Sequence, residues 1–366
     1  MMLHLCSAKT LPVLTIFVSI LLGLSGCAMV GPGSISMGRA DYNEAINKTE
    51  DEQMLMSIVK GRYGETFSLL SVTGVAANVR FTANAGAQAG VGPKENYLGN
   101  IVPLNGGVAY EESPTITYSP VQGADYLQQL MSPVSLDILV LSIRNELASG
   151  NALVLLANRI NDLQNPDFLS RQANGPNARF KRFADLNREL VQEGIVQWVA
   201  DPREDVPFDI LISRYAPEYL SRVREYLDLL GLPMASDVSE DIVLPVYFGV
   251  KGRDTNGVDI STRSTVDLIQ LLRSAIAIPK EHLDKRLTVE YSKPGLAGEG
   301  ICIYSSMDKP ENASVAIRYR GYWFYIAEND GRTKNFYMMV RTLWSATIAA
   351  GTDQRAAPVL TIPVSR

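Results

Sequence analysis

The sequence predicts an α+β fold of mixed helices and antiparallel strands with one long protruding β-hairpin. Three observations support it. From Val75 to Val91 every odd-numbered residue is apolar, which is the two-residue period of a β-strand. Elsewhere, apolar residues recur at the spacing of an amphipathic helix, in segments that end at Gly or Pro. Short strand-like runs lie between these segments without the regular alternation of strand and helix that builds parallel sheets.

The N-terminal residues have the form of a bacterial lipoprotein leader. One basic residue, Lys9, precedes an apolar run from Leu11 to Leu24, and small residues then lead into Cys27. The run is shorter than the roughly 20 apolar residues that a membrane-spanning helix needs. We therefore expect residues 1–26 to be a cleaved signal peptide and Cys27 to carry the anchoring acyl chains, palmitate among them. Cys27 is followed by Ala28, whereas lipoproteins that stay at the inner membrane commonly have Asp at this position. The resemblance of this segment to lipoproteins without that Asp implies an outer-membrane anchor and a body in the periplasm.

Composition limits the class of partner and the redox chemistry. The chain has 34 basic and 39 acidic residues, a formal net charge of −5 and no basic stripe, which argues against nucleic-acid binding. Cys6 lies in the expected leader and Cys27 in the lipobox, so Cys302 has no partner for an intramolecular disulfide. Its apolar neighbours Ile301 and Ile303 predict a buried, unreactive thiol.

The chain after the leader divides into a tether and two larger regions. Residues 27–41 are rich in Gly, Ser and Met, and we expect them to form a lipidated, flexible tether. Residues 42–235 are expected to form an N-terminal α+β region that contains the long hairpin at about 70–120. Residues 236–366 are expected to form a C-terminal α+β region.

Local signals predict the remaining elements in chain order. Thr49 and Glu52 have the spacing of a capping box and predict a helix over 50–60. The segment Asp254–Gly257 predicts a turn between two antiparallel strands. Further helices are expected at 124–131, 135–150, 153–163, 180–194, 217–231, 264–276 and 332–349. Strands are expected at 195–200, 208–212, 244–250, 258–262, 287–291, 301–305, 314–319, 322–327 and 358–364.

The long hairpin is the candidate assembly element. Apolar residues alternate with small or polar ones on both arms, and a turn-rich loop at 92–100 connects the arms. The expected assembly or membrane-facing positions are Val75, Val79, Phe81, Ala85, Val91, Val102, Leu104, Val108 and Tyr110. Three interpretations stay open: a hairpin that crosses the membrane, an oligomeric hairpin that does not, and a hairpin whose alanine-rich face packs on the chain's own core. The first needs several chains, because a lone hairpin would leave unpaired strand edges in lipid.

Signals of catalysis are scarce in this sequence. His282 is the one histidine outside the expected leader, and its position after Pro279 at a helix start predicts a surface or capping residue. The sequence contains no recognisable nucleophile, metal-binding or phosphate-loop motif. We therefore expect a protein that is not an enzyme and that needs no cofactor or metal.

One stretch suggests a surface for a partner. Arg318 and Arg320 alternate along a predicted strand, next to Tyr322 and Trp323. A guanidinium beside aromatic rings is suited to hold a glycan or a phosphate group. The alternative is a strand with one exposed basic face and one buried aromatic face.

Distinctive stretches occur at Tyr42-Asn43, Ile58-Val59, Arg62-Tyr63, 116–123, 319–326 and 358–364. They resemble an uncharacterised family of proteobacterial outer-membrane lipoproteins, and the resemblance covers most of the chain after the leader. The resemblance implies the same location, at the outer membrane, and it brings no established activity or catalytic residue.

These observations predict a lipid-anchored outer-membrane protein that forms homo-oligomers through the hairpin, either as a shared pore or as a ring in an envelope or secretion complex. The alternative is a monomeric periplasmic binding or scaffolding lipoprotein. It would dock a protein or glycan partner through the surface around Arg318 and Arg320.

Overall fold

The computed structural model describes most of the chain after the expected leader. It covers residues 30–66, 69–86, 105–121, 124–144, 152–168, 176–201, 207–213, 215–233, 241–249, 256–292, 294–352 and 360–363. The predicted lipidation site Cys27 lies outside the described residues, as do the predicted hairpin positions Val91, Val102 and Leu104.

The fold is α+β, and the chain forms two compact units, Met1–Glu52 and Gln53–Arg366. The helices are α1 Val30–Arg62, α2 Ala124–Met131, α3 Leu136–Arg144, α4 Ala152–Leu156, α5 Pro176–Gln192, α6 Leu220–Leu230, α7 Thr265–Ser274, α8 Lys280–Asp284 and α9 Gly331–Thr352. The strands are β1 Leu69–Gly86, β2 Asn105–Val121, β3 Ala157–Ile160, β4 Leu163–Gln164, β5 Val196–Ala200, β6 Phe208–Ile212, β7 Ile242–Phe248, β8 Val258–Thr262, β9 Tyr304–Ser306, β10 Ala313–Tyr319, β11 Tyr322–Ala327 and β12 Leu360–Pro363. Among the helices of these described ranges, none combines the length and the hydropathy that a membrane span requires.

Helix α1 begins earlier than the sequence predicted. It is continuous from Val30, so residues 30 to 41 of the expected flexible tether are helical, and Thr49 lies within the helix instead of capping it. Pro32 is compatible with this start, because the N–H groups of the first helical turn have no partners within the helix. The Thr49 hydroxyl donates to the carbonyl of Ile46 at 2.9 Å, a bond that stays inside the helix.

The main sheet has the strand order β4-β3-β8-β7-β6-β5. Alternate residues of its strands are buried, such as Leu244 and Val246 of β7. Strand β6 pairs antiparallel with β7, with Phe208 opposite Val246. Because β6 precedes and β7 follows the predicted boundary at 235/236, the two predicted regions share this one sheet.

The connection between β7 and β8 differs from the predicted hairpin. Val246 pairs with Val258 and Phe248 with Ile260, so the two strands run parallel. A tight turn joins only antiparallel neighbours, and a parallel neighbour requires the chain to return along the sheet first. Strand β3 occupies the other edge of β8 in antiparallel orientation. The turn signal at Asp254–Gly257 therefore does not join antiparallel strands, and the predicted hairpin was wrong. Asp254 and Thr255 lie outside the described residues.

A helix was predicted over 153–163, but the observed helix α4 ends at Leu156. Arg263, which is fully buried, donates from Nη1 to three carbonyl oxygens at 2.9 to 3.0 Å, those of Val154, Leu155 and Ala157. A longer helix would need the same carbonyls as acceptors for its next turn. The chain instead continues as β3, which pairs with β8.

The core of the second unit joins the sheet to the apolar sides of α5, α6 and α7. Phe183 and Tyr226 are fully buried, with ring centroids 5.0 Å apart. Buried Asn187 accepts hydrogen bonds from the Tyr226 hydroxyl at 3.0 Å and from the Trp198 indole at 3.2 Å. The polar ends of both rings are thereby satisfied, as buried Tyr and Trp require.

A smaller antiparallel sheet has the order β10-β11-β9. Residues 287–291, which were predicted to add a strand, are irregular. They pack on the end of α1 instead, because the Thr288 hydroxyl donates to the carbonyl of Arg62 at 2.6 Å and the Arg62 guanidinium lies over the ring of Tyr291. Helix α9 follows Asp330, whose carboxylate accepts from the N–H of Thr333 at 3.0 Å.

Candidate functional site

The first candidate site is the β1–β2 hairpin, whose existence the structure confirms. Its register places Phe81 opposite Tyr110 and Val75 opposite Ile116. The other predicted positions in the described part of the hairpin pair as Val79 with Glu112, Ala85 with Gly106 and Val108 with Ala83. Residues opposite one another lie on the same face of an antiparallel pair. The apolar series of the two arms therefore share one face, which is interrupted by Glu112.

A β-bulge keeps this face continuous towards the base of the hairpin. Val72 pairs with Tyr118 and Gly74 with Thr117, so Thr73 is an extra residue in β1. On this face, the apolar residues before the bulge, Leu70 and Val72, have even numbers, and those after it, from Val75 onwards, have odd numbers. The extra residue absorbs this change of phase, which would otherwise move one series to the opposite face.

A third strand covers only the base of the hairpin. In β12, Leu360 pairs with Tyr118 and Pro363 with Thr115. Beyond that point, the ten register pairs from Ala77–Pro114 to Gly86–Asn105 have no further strand on either side among the described residues. Unpaired strand edges present rows of N–H and C=O groups that another strand can join.

The second candidate site surrounds the turn between β10 and β11. The hydroxyl of Tyr63 lies 2.6 Å from Nδ1 of His282. The Tyr63 ring also meets the ring of Tyr319 edge-on at 5.2 Å, and the His282 ring meets that of Tyr322 at 5.0 Å. We call Tyr63, His282, Tyr319, Tyr322 and Arg320 the inner cluster.

His282 is buried, which corrects its predicted surface position. The short helix α8 turns the imidazole towards Tyr63 and the β10–β11 turn. Burial lowers the pKa of His282, because the charged imidazolium loses its hydration. Burial likewise raises the pKa of Tyr63 to about 12. Both groups are therefore neutral at neutral pH.

Arg320 is engaged within the chain. It and Gly321 have φ angles of 49° and 88°, which form a tight two-residue hairpin turn. Its Nη2 donates to Glu65 at 2.6 Å, and its Nε donates to the hydroxyl of Tyr319 at 2.8 Å. These hydrogen bonds, first that to Glu65, raise the pKa of Arg320, and the bonds from Tyr319 and Arg320 lower the pKa of Glu65.

Arg318 lies on the face of the small sheet that points away from the inner cluster. We call this face the outer face and define it by Arg318, Trp323, Tyr325, Tyr304 and Lys309. Arg318 pairs with Trp323, and Tyr325 pairs with Tyr304. The rings of Tyr304 and Tyr325 stack with centroids 5.7 Å apart, and Nζ of Lys309 lies 5.6 Å from the ring centre of Trp323. The outer face therefore combines aromatic rings with two cations.

The structure thus separates the four residues that the sequence placed on one surface. Arg320 and Tyr322 belong to the inner cluster, whereas Arg318 and Trp323 belong to the outer face. The contact between Tyr63 and His282 could not be predicted from the sequence, because 219 positions separate the two residues. The one signal that pointed to His282 is the scarcity of histidine in the chain.

No family model matches the chain, and neither a curated protein nor a solved structure matches it significantly. Within the described residues, no group of three or more His, Cys, Asp or Glu side chains is arranged to hold a metal ion.

Proposed function

We propose that this chain is a lipid-anchored structural protein of the bacterial outer membrane whose copies assemble edge to edge through the β1–β2 hairpin. Cys27 is its anchor, and its α+β body faces the periplasm. The proposal is of a non-enzymatic role in a homo-oligomer or a larger envelope complex.

One observation carries the proposal: ten register pairs of the hairpin extend beyond β12 with both edges free of a third described strand. At about 3.3 Å per residue they span roughly 33 Å. The ten residues that each strand contributes to these pairs match the roughly 9–11 residues of a strand that crosses an outer membrane. One face of these pairs is largely apolar, with Phe81 opposite Tyr110. A shared pore is therefore one form that the assembly would take, and a ring outside the lipid is the other.

The mass of the detergent-extracted, lipidated full chain tests assembly. Native mass spectrometry is expected to give a multiple of the chain mass. The matched variant replaces residues 77–114 with Asn-Gly, a two-residue hairpin turn. It keeps the pairs of Thr115 to Tyr118 with β12 and removes only the exposed pairs. This variant is expected to be a monomer.

A wild-type monomer, or a truncated variant that keeps the wild-type mass, would overturn assembly through the hairpin. Single-channel conductance then distinguishes the two forms. Conductance by the wild-type protein that is absent from the truncated variant supports a pore, whereas an oligomer without conductance supports a ring.

The outer face favours a second candidate function, a monomeric periplasmic lipoprotein that docks a partner. Arg318 is exposed and lies beside Trp323, and both face away from the inner cluster. Arg318→Ala and Trp323→Ala would then abolish partner capture, while the 77–114 replacement would leave it intact. The opposite pattern would reject this candidate.

A further inference from the structure

Arg62, the last residue of α1, is a buried cation with unused hydrogen-bond donors. Its side chain is 96% buried, since its relative exposure is 4%. Its Cζ atom lies 3.5 Å from the ring centre of Tyr291. Burial lowers the pKa of Arg62, and a hydrogen bond with the side chain of Tyr291 partly offsets this effect. Its Nε and Nη1 atoms are buried and have no hydrogen-bond acceptor, and no described residue forms an ion pair with it.

Arg263 shows how this chain satisfies a guanidinium that serves the fold. It is also fully buried, but its Nε donates to the carboxylate of Asp167 and its Nη atoms donate to four backbone carbonyls. Arg62 has neither a carboxylate nor a set of carbonyls. An unpaired buried charge of this kind is costly, and a bound counter-ion would remove the cost.

A second guanidinium packs against Gly61, the residue that precedes Arg62. It belongs to Arg273, in the last turn of α7, and a Cβ atom added at Gly61 would lie 2.5 Å from the Arg273 Cζ. The absence of a side chain at Gly61 therefore makes room for this arrangement. The Nε of Arg273 also has no acceptor, and Tyr291 acts electrostatically on both arginines. Arg273 is only partly buried, so it forms the accessible side of the pair.

We propose that Arg62 and Arg273 form a binding site for a phosphate-bearing anion. Three nitrogen atoms with unused N–H groups, on two guanidiniums, suit an oxyanion with three or more oxygens better than a carboxylate with two. A phosphate monoester carries a charge of about −1.5 to −2 at pH 7, which balances two arginines. Glu290 lies close enough to act electrostatically on Arg62 without an ion pair, and it repels such an anion. The site is separate from the hairpin and does not depend on its assembly.

Calorimetric titration of the detergent-extracted full chain with inorganic phosphate, at constant ionic strength against sodium chloride, tests the site. We expect saturable binding of one phosphate per chain. Arg273→Gln is expected to weaken it by about tenfold or more, because a hydrogen bond to a charged group contributes at least that factor. Glu290→Gln is expected to tighten it. Arg182→Gln removes an exposed cation that is already paired with Glu225, and it is expected to leave phosphate binding unchanged.

Phosphate that binds no more tightly than chloride would overturn the proposal, as would equal affinity in the wild type and Arg273→Gln. Arg62→Lys keeps the buried charge and loses the fork of donors, so it is expected to fold and to bind more weakly. A short-chain phosphatidylglycerol, added as a competitor, identifies the source of the phosphate. Displacement of inorganic phosphate indicates a lipid headgroup, and its absence indicates a free phosphate compound.

Discussion

The hydroxyl of Tyr63, at the end of α1, lies 2.6 Å from Nδ1 of His282 in α8. The imidazole is also hydrogen-bonded to the backbone of Arg320, and this bond raises its pKa, as donation to a carbonyl oxygen does. A neutral imidazole protonated at Nε2 fits both hydrogen bonds, because its Nδ1 can then accept from the Tyr63 hydroxyl. One neutral imidazole thus connects α1 to the β10–β11 turn, in which Arg320 has a φ of 49°.

Tyr63→Phe is expected to lower the free energy of unfolding by about 1–2 kcal/mol, because it leaves the buried Nδ1 of His282 without a donor. Urea denaturation of the full chain followed by circular dichroism measures the change. Tyr322→Phe is the matched control, since its hydroxyl donates to Glu281 at 3.1 Å on the exposed surface. Its expected change is below about 0.5 kcal/mol. Equal losses in the two variants would contradict a special role for Tyr63.

Stability is expected to fall as the pH is lowered through about 6.5, the ordinary pKa of histidine. Burial holds the pKa of folded His282 below that value, so the unfolded chain binds the proton more readily in the window between the two pKa values. The hydrogen bond with the Arg320 backbone and the charge of Glu281 oppose this lowering of the pKa, whereas the charges of Arg320 and Lys285 add to it. His282→Gln is expected to remove the slope between pH 7 and the onset of carboxylate titration near pH 4.5. A wild-type free energy of unfolding that stays constant over this window would refute the prediction.

Arg263→Met is expected to destabilise the chain by about 3–5 kcal/mol, because it leaves buried carbonyls and the carboxylate of Asp167 without their donor. Arg182→Met is the matched control. Arg182 forms two hydrogen bonds of 2.6 Å with Glu225, but both side chains are exposed, and an exposed pair contributes about 1 kcal/mol or less. Thermal unfolding of the two variants side by side makes the comparison, and similar losses would show that burial does not decide the effect.

Elements that depend on neighbouring residues could be predicted from the sequence. Helix α7 begins directly after Ser264, at the start of the predicted helix 264–276, and Ser264 forms a capping box with Asp267. Gly231 ends α6 with a φ of 70°, at the end of the predicted helix 217–231. The hairpin was predicted because alternation over a long stretch has one structural explanation. Each of these signals lies within a few residues of its effect.

Features that depend on distant residues could not be predicted. Arg263 ends α4 from more than 100 positions away. Strand β8 pairs with the distant β3 on one edge and runs parallel to β7 on the other. The inner cluster has the same origin, since Tyr63 meets His282 only when α1 and the small sheet are both in place. The prediction that Arg318 and Arg320 share a surface treated the strand as continuing through Arg320, which instead lies in the turn.

Two single-residue deletions in β1 are expected to have opposite effects on assembly. Thr73 is the extra residue of the bulge, so its deletion leaves Val72 opposite Tyr118 and Gly74 opposite Thr117 in a regular ladder. The apolar residues stay on one face, and the assembly is expected to persist. Deletion of Asn78, in the regular part of the same strand, moves every later residue of β1 to the opposite face.

The Asn78 deletion is therefore expected to place the apolar series of β1 on both faces of the hairpin and to reduce the protein to a monomer. Native mass spectrometry of the two detergent-extracted variants measures this, and circular dichroism checks that both bodies remain folded. Loss of assembly in both variants would show that the hairpin's length matters more than its faces. Assembly by the Asn78 variant would show that the apolar face does not hold the copies together.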